Sequence, residues 1–286
     1  MTGAVRALAA LATGLAISPV LQQPTFRSVT EGVVLEVLVT ERNRPVRGLT
    51  SADFHVTDNG VPQRVLDVSH ETLPLDVHLV TDTSGSIHPA LLQSLVRSVN
   101  RVRQQLRPED RVSVLPFNHQ VREQVWLTPA GNVGEIGLES TGGRTSLNDA
   151  IALALIAPLE RDRRQMAIVF TDGFDTTSFM TEAATLDVAR RSHVALFVVA
   201  AGDRKTLPAR FLEEVASTTG GLAQIAQPVQ AVEQHFLRAL EEFRTSYVVR
   251  YVPEGVERGG WHDVSVRVSK RGRYQVRARR GYFGAR

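Results

Sequence analysis

Cysteine is absent from this sequence of 286 residues, which excludes disulfides, thiolate metal sites and a cysteine nucleophile. Lysine is nearly absent, because only Lys205 and Lys270 occur among the 33 basic residues. The formal net charge is +3, so the composition gives no reason to expect a nucleic-acid partner. No apolar run comfortably reaches the roughly 20 residues that a membrane-spanning helix needs, and we therefore expect no transmembrane anchor.

The first 23 residues have the pattern of a secretory signal peptide. Residues 1–6 are short and positive, residues 7–21 are an apolar run rich in small side chains, and Gln22 and Gln23 follow. The alternative is an alanine-rich first helix of the fold. We favour export to the periplasm, the cell surface or the exterior, because no later segment obviously needs residues 7–21 as a packing partner.

Three segments with different periodicities follow the N-terminus. Residues 28–72 alternate apolar and polar positions and predict strands, including a hairpin of strands 54–57 and 64–68 around an Asp-Asn-Gly turn. Residues 73–244 alternate apolar strands with helices of 3.6-residue periodicity, which predicts a doubly wound, mostly parallel α/β sheet. Residues 245–286 return to the alternation of strands.

Neither β segment has enough strands for a core of its own, since roughly three or more strands with an apolar face are needed. We therefore predict that residues 28–72 and 245–286 form one small β-sandwich-like domain, into which the α/β domain at 73–244 is inserted. In the last segment Arg273, Arg277 and Arg279 alternate with apolar positions. We interpret them as a solvated strand face rather than as a nucleic-acid surface.

The most informative stretch is Leu-Asp-Val-His-Leu-Val-Thr-Asp-Thr-Ser-Gly-Ser at 75–86. Its first part fits a buried strand. Its polar end brings Asp82, Ser84 and Ser86 to alternate positions of a tight turn that Gly85 permits. Such a turn can gather oxygen atoms around a hard cation. Mg²⁺ prefers near-octahedral oxygen ligation and usually keeps waters, so one carboxylate and two hydroxyls suit it if further ligands join them.

Two later loops supply the further ligands. Asp172 follows a strand predicted at 166–171 and so lies at the carboxyl end of a parallel strand, where ligands bind in open α/β sheets. Thr145 comes shortly after Gly142 and Gly143, which let the backbone approach a site closely. The sequence therefore predicts one metal site with five oxygen ligands: Asp82, Ser84, Ser86, Thr145 and Asp172.

These motifs, in this order, resemble the metal-ion-dependent adhesion site (MIDAS) of von Willebrand factor type A domains. The resemblance implies a non-enzymatic adhesion or protein-binding module in which Ser84 and Ser86 bind Mg²⁺, Ca²⁺ or Mn²⁺ directly. It implies that Asp82, Thr145 and Asp172 bind directly or through water. An open position on the cation then accepts a carboxylate of a partner protein or other macromolecule. The flanking motifs at 48–54 and 278–283 further resemble an exported acidobacterial subgroup of this family.

Three residues near the predicted ligands need separate treatment. Arg144 stands between the glycine pair and Thr145, which makes Thr145 the least secure ligand. Asp149 and Asp175 lie near the ligands in sequence and are candidates for supporting the site from the second shell. The alternative for both is a capping role in a loop or in the first turn of a helix.

Three alternatives to a metal-dependent binding site remain open. The turn at 82–86 could be a simple helix cap, since Asp and Ser also cap helix N-termini. Asp82 could be the nucleophile of a haloacid dehalogenase-like phosphohydrolase, but such enzymes need a second carboxylate two residues later, where this chain has Ser84. The chain could also be an intracellular assembly factor for an ATPase, which a cleaved signal peptide would exclude. No P-loop or nucleophile elbow is present, and we favour binding over catalysis.

Overall fold

A computed structural model describes residues 32–42, 44–69, 73–158, 160, 162–228 and 231–284. The predicted signal peptide at 1–23 lies outside these residues, so export stays a prediction. Among the residues that are described, no helix has both the length and the apolar character needed to cross a membrane.

The elements alternate much as the periodicity predicts. In chain order the strands are β1 (Val33–Glu41), β2 (Arg44–Pro45), β3 (Phe54–Asp58), β4 (Val61–Gln63), β5 (Val65–Ser69), β6 (Leu75–Asp82), β7 (Arg111–Phe117), β8 (Val125–Pro129), β9 (Arg164–Thr171), β10 (Ala195–Ala201), β11 (Ala223–Ala226), β12 (Tyr247–Tyr251), β13 (Gly260–Val268), β14 (Tyr274–Ala278) and β15 (Gly281–Gly284). The helices are α1 (Pro89–Gln105), α2 (Leu147–Leu155), α3 (Glu182–Arg191), α4 (Ala209–Thr218) and α5 (Val232–Arg244).

Six strands form the central sheet in the order β11-β10-β9-β6-β7-β8. Neighbouring strands are parallel, except that β8 runs antiparallel to β7. Every residue of β6 and β9 is buried, and residues 166–170 of β9 are a continuous apolar run, as expected of a strand with both faces covered. The predicted doubly wound, mostly parallel α/β sheet is confirmed.

Helices cover both faces of the central sheet. On one face α1 and α5 contribute Leu95, Val99 and Phe236 to an apolar core. On the other face α2 and α4 contribute Ile151 and Val215 to a second core, which α3 also joins. Because the faces are covered, the polar residues that follow β6 and β9 are directed to the carboxyl edge of the sheet.

The two chain ends form a β-sandwich of two antiparallel sheets. One sheet has the order β14-β1-β12-β5, with β2 beside β1, and the other has the order β15-β13-β3-β4. Leu35, Val37 and Val249 from the first sheet share a buried core with Phe54 and Val56 from the second. Since β1 pairs with β12 and β3 pairs with β13, each sheet takes strands from both ends of the chain. The predicted insertion of the α/β fold into a β-sandwich is confirmed, while its residue boundaries stay predictions.

The predicted hairpin at 54–68 is correct in its turn and wrong in its second strand. The turn residues Asn59 and Gly60 have φ of 47° and 80°, and β3 pairs across them with the short β4. The next strand, β5, pairs instead with β12 in the opposite sheet. The buried side chain of Gln63 ends β4, because it donates to the Glu254 carbonyl at 3.0 Å and accepts from the Glu254 amide at 2.8 Å.

The interpretation of the late arginines as a solvated face is wrong for two of them. Arg277 donates to Glu242 of α5 at 2.7 Å and lies over the ring of Phe197. Arg279 donates to the backbone carbonyl of Arg190 in α3 at 3.1 Å. These contacts fasten the sandwich to the helices of the α/β fold. Alternation in a sequence shows that a face is polar, but it does not distinguish solvent from a neighbouring helix.

A buried ion pair joins the sandwich to the start of β9. Arg164 donates from Nε and Nη2 to the Glu36 carboxylate at 2.9 and 2.6 Å, and its side chain is 3% exposed. Its Nη2 also donates to the Phe243 carbonyl and to the Ser246 hydroxyl, each at 2.6 Å. The guanidinium group is thus held by a residue of the sandwich and by the end of α5 together.

Candidate metal centre

The turn after β6 holds a buried carboxylate beneath two hydroxyls. Asp82 has no solvent exposure, and its Oδ1 accepts a hydrogen bond from the Ser84 amide at 3.0 Å. Ser84 is also buried, whereas Ser86 is exposed. The alternate spacing of these residues therefore produces a path of oxygen atoms from the interior to the surface.

Two loops meet at the exposed end of this path. The Ser84 and Ser86 hydroxyl oxygens are 3.1 Å apart, and the Ser86 hydroxyl donates to Asp172 Oδ1 at 2.7 Å. Asp172 follows β9, which is the strand paired with β6. The predicted approach of Asp172 to the serine turn thus follows from the parallel pairing of these two strands.

Thr171 is a site residue that the sequence reasoning missed. Its hydroxyl donates to Asp82 Oδ2 at 2.9 Å, and the residue is fully buried. Together with the Ser84 amide, it fixes both oxygen atoms of the Asp82 carboxylate. The available signal was a polar residue at the last position of an otherwise apolar buried strand.

The third loop, at 140–146, is attached to the serine turn by backbone hydrogen bonds. The Gly85 amide donates to the Gly143 carbonyl at 3.1 Å, and the Thr141 amide donates to the Thr83 carbonyl at 3.1 Å. A Cβ at position 85 would lie 3.3 Å from the Gly143 carbonyl oxygen, so glycine allows this close approach. Asn118 supports the loop as well, since its Nδ2 donates to the Thr141 hydroxyl at 2.7 Å.

Thr145 lies on this loop and is buried. Its amide donates to the Thr176 hydroxyl at 2.9 Å, and its carbonyl accepts from the Thr176 amide at 2.9 Å. The arrangement therefore ties the Thr145 loop to the segment that follows Asp172. Within the described part of the chain, hydrogen bonds and close oxygen contacts connect Asp82, Ser84, Ser86 and Asp172, whereas the bonds of Thr145 go to Thr176.

Asp149 and Asp175 make the contacts of loop-capping residues. Asp149 accepts hydrogen bonds from the amides of Phe179 and Met180 at 3.0 and 2.9 Å. Asp175 accepts from the amide of Asn148 at 2.9 Å, near the start of α2. These contacts favour the capping alternative, because both carboxylates hold the segment after Asp172 against α2.

The two candidate carboxylate ligands are in surroundings that disfavour their charge. Burial raises the pKa of Asp82 from 3.8 to about 6, against the opposing effect of its hydrogen bonds to Ser84 and Thr171. The nearby Asp172 carboxylate raises it further. Burial also raises the pKa of Asp172, against the hydrogen bond from Ser86. A divalent cation between these groups would favour their ionised forms and lower both pKa values.

The donor set fits a small hard cation. Cis ligands around Mg²⁺ at 2.0–2.1 Å are separated by roughly 2.9 Å. The oxygen separations of 3.1 Å between Ser84 and Ser86 and of 2.7 Å between Ser86 and Asp172 lie on either side of that value. Among the described residues no group of three or more His, Asp or Glu side chains could hold a metal ion. The site therefore depends on hydroxyl groups, and two carboxylates would neutralise a divalent ion without adding net negative charge.

We expect Thr171→Val to weaken cation binding roughly 10- to 100-fold, which is the usual effect of removing a group that orients a metal ligand. Valine has nearly the same shape but leaves Asp82 Oδ2 without its hydrogen bond. The measurement is Mn²⁺ titration of the metal-stripped variant. Thr185→Val is the matched control, because Thr185 is equally buried and its hydroxyl donates to the carbonyl of Thr181, the residue that caps α3, away from the candidate ligands. Equal affinities in both variants would contradict the role of Thr171.

A doubly wound sheet with an oxygen-donor site at its carboxyl edge defines the class of the protein as an α/β ligand-binding domain. The family model of the von Willebrand factor type A domain matches residues 76–245. This range covers more than half of the chain, and the chain belongs to the von Willebrand factor type A domain family.

Solved structures are similar to this chain over most of its length. Proximal thread matrix protein 1 from the mussel byssus matches with a TM-score of 0.52 at 14% identity, over 65% of this chain and 49% of that protein. The ArnB paralog VWA2 from Sulfolobus acidocaldarius matches with a TM-score of 0.50 at 13% identity, over 89% of this chain and 76% of that one. At such identities the similarity shows the fold alone.

Proposed function

We propose that this protein is a metal-dependent binding module. Asp82, Ser84, Ser86, Thr145 and Asp172 bind one divalent cation, Mg²⁺ or alternatively Ca²⁺ or Mn²⁺. The cation then captures an acidic group of a partner protein or other macromolecule. We further propose that the protein acts after export, as the N-terminal pattern indicates.

The observation that carries this proposal is the continuous row of oxygen atoms from Ser84 through Ser86 to Asp172, with separations of 3.1 and 2.7 Å. The row begins above the buried Asp82 and ends at the exposed Ser86. A cation held there would have protein oxygens on the inner side and solvent on the outer side. Its outer positions would be filled by water until a stronger ligand displaces that water.

The charge of the site favours an acidic ligand. Two carboxylates neutralise a divalent cation, while hydroxyls and waters add no negative charge. The cation therefore stays attractive to a further carboxylate. The exposed Arg144, beside Thr145, adds positive charge at the same edge of the sheet.

The contacts of Asp82 favour binding over phosphoryl chemistry. A nucleophilic carboxylate must reach a substrate phosphorus atom, but Asp82 has no exposure, and its two oxygens accept hydrogen bonds from Ser84 and Thr171. The position two residues later, Ser84, has no carboxylate to act as general acid or base. A buried carboxylate fixed in this way is suited to binding a cation from the interior side of the site.

Capture of an acidic group is tested with Mn²⁺-loaded protein and two blocked tripeptides, Gly-Asp-Gly and Gly-Asn-Gly. We expect the aspartate peptide to displace a water from Mn²⁺ and to lower the enhancement of water proton relaxation, because its carboxylate takes an open position on the ion. The asparagine peptide should have little effect. An equal response to both peptides, or none to either while Mn²⁺ is bound, would contradict the proposal.

A further inference from the structure

A crevice of about 110 Å³ lies between the β-sandwich and the edge of the central sheet at which the parallel strands begin. Its lining includes Arg164 at the start of β9, Ala195 at the start of β10, and Val34 and Val248 of the sandwich. Asp172 follows the other end of β9. At about 3.3 Å per residue along this strand, the crevice is roughly 25 Å from the candidate metal centre. It is therefore a separate place in the molecule.

Arginines outnumber carboxylates around this crevice. Four arginines line it: Arg163, Arg164, Arg250 and Arg279. The first three pair with carboxylates at distances of 2.6, 2.6 and 3.0 Å, and the partners are Asp76, Glu36 and Asp67 respectively. The lining carboxylate of Glu160 pairs with Arg111 at 2.7 Å. Within the described residues Arg279 forms no ion pair with a carboxylate, so its positive charge is not balanced.

Burial makes the positive charge of Arg279 costly. The residue is half-buried, and burial lowers its pKa from 12.5 to about 10, against the opposing effect of Tyr251. The charge of Arg279 acts in turn on His193, which lines the same crevice. Desolvation lowers the pKa of His193, and the nearby guanidinium group lowers it further. An anion in the crevice would favour the charged forms of both residues.

Arg279 has hydrogen-bond donors left for such an anion. A guanidinium group carries five N–H donors. Two are in use, since Nε donates to the Gly281 carbonyl at 2.6 Å and Nη2 donates to the Arg190 carbonyl at 3.1 Å. The other three N–H groups have no partner among the described residues. The crevice is several times larger than the space that one water needs, so an anion of a few heavy atoms fits.

We propose that this crevice binds a small oxyanion, such as phosphate, sulfate or a carboxylate, with Arg279 as its main contact. A guanidinium group can form paired hydrogen bonds to two oxygens of such an ion. Arg279 lies between β14 and β15 of the sandwich and bonds to α3, while other lining residues belong to the start of β9. A bound anion would therefore strengthen the junction between the sandwich and the α/β fold. This site does not depend on the cation site.

The test is thermal unfolding of the metal-stripped protein in EDTA with sodium phosphate, sulfate or acetate. Sodium chloride at the same ionic strength is the reference, and EDTA prevents the anions from binding through a metal at the candidate metal centre. We expect at least one of the three ions to raise the unfolding temperature by about 2 °C or more at saturation, since a ligand that binds only the folded state stabilises it. Comparison of the three ions distinguishes a tetrahedral ligand from a carboxylate.

Two variants and a control assign the effect to the crevice. Arg279→Gln should abolish the rise in unfolding temperature. His193→Glu should abolish it as well, because it adds a negative charge to the crevice while the bonds of Arg279 to α3 stay in place, and it serves as the test if Arg279→Gln does not fold. Arg267→Gln is the matched control, because Arg267 is exposed on β13 of the same sandwich, and it should keep the full rise. The proposal is overturned if none of the ions acts beyond chloride on the wild type, or if both crevice variants respond as the wild type does.

Discussion

Asp82→Asn should stabilise the metal-free protein at pH 7 and above. The pKa of Asp82 is 3.8 in ordinary surroundings and about 6 in the folded protein. Because the folded value is the higher one, the stabilisation from the protonated form is fully present below pH 3.8 and is lost as the pH rises through about 6. Above pH 7 this difference in pKa lowers the free energy of unfolding by about 3 kcal/mol relative to a neutral side chain at the same position. Asparagine is neutral at every pH and can still accept from the Ser84 amide.

The same substitution should remove stabilisation by Mg²⁺. A cation that binds only the folded wild type would raise its free energy of unfolding by about 2.7 kcal/mol at 100 times the dissociation constant. This gain nearly cancels the deficit of about 3 kcal/mol that the buried charge causes, so Asp82→Asn is clearly the more stable protein in EDTA, and the two proteins become about equally stable in Mg²⁺.

Urea unfolding at several pH values, in EDTA and in Mg²⁺, measures both effects. The gap between Asp82→Asn and wild type in EDTA should close as the pH falls towards 4, since the wild-type carboxyl is then neutral as well. Asp187→Asn is the control for loss of an exposed carboxylate, because Asp187 pairs with Arg191 at the surface of α3. If Asp82→Asn is less stable than the wild type in EDTA at pH 7, the prediction is contradicted, because interactions in the folded protein then stabilise the charged carboxylate by more than its burial costs.

Glu36→Ala should destabilise the protein by about 3 kcal/mol, the lower end of the usual cost of leaving one charge of a buried pair without its partner. The Arg164 side chain is 3% exposed and the Glu36 side chain is 24% exposed, so water can reach the place of the lost carboxylate but little of the guanidinium group. The remaining contacts of Arg164, to the Phe243 carbonyl and the Ser246 hydroxyl, carry no negative charge. The loss should therefore loosen the junction between β1, the start of β9 and the end of α5.

The matched control for this pair lies on the same sandwich. Asp67 pairs with Arg250 at 3.0 Å, but the two side chains are 55% and 35% exposed. Asp67→Ala should change the free energy of unfolding by less than about 1 kcal/mol, as exposed ion pairs do. Urea unfolding of both variants is the measurement. Similar losses for Glu36→Ala and Asp67→Ala would show that burial does not determine the strength of the Arg164 pair.

Much of the α/β fold could be predicted because its signals are local. The middle of the buried strand β9 is an apolar run, β6 carries Val77, Leu79 and Val80, and the helices between the two strands show a 3.6-residue period. The parallel order then brings the residues after both strands to one edge, which is why Asp82 and Asp172 could be assigned to one site before their contacts were known. The pairing of the chain ends followed from a simple physical limit, since neither end can form a core alone.

The parts that could not be predicted depend on contacts between distant residues. β5 lies in the opposite sheet because it pairs with β12, far along the chain, and no local pattern indicates that pairing. Arg277 reads as a solvated residue until α5 presents Glu242 to it. The sequence marks Thr171 only as a polar residue at the end of a strand, and its role depends on the orientation of the Asp82 carboxylate.

The roles of two aspartates near the candidate ligands also depend on tertiary contacts. Asp149 and Asp175 stand near the ligands in sequence, and this proximity alone gave them a possible supporting role. Their hydrogen bonds to the amides of Phe179 and Asn148 show that they hold the loop at 173–180 against α2. The sequence indicates which residues can bind a cation, but only tertiary contacts indicate which residues order the surface around it.

The most direct test of the central claim is calorimetric titration of the metal-stripped protein, residues 24–286, with Mg²⁺, Mn²⁺ and Ca²⁺ beside the Asp82→Asn variant. We predict saturable binding of one cation per chain in the wild type and its loss in the variant, with both proteins folded. A folded wild type that binds none of the three ions, or a variant that binds as well as the wild type, would contradict the metal centre. The turn at 82–86 would then serve only to connect β6 to α1, because the N-cap of α1 is His88.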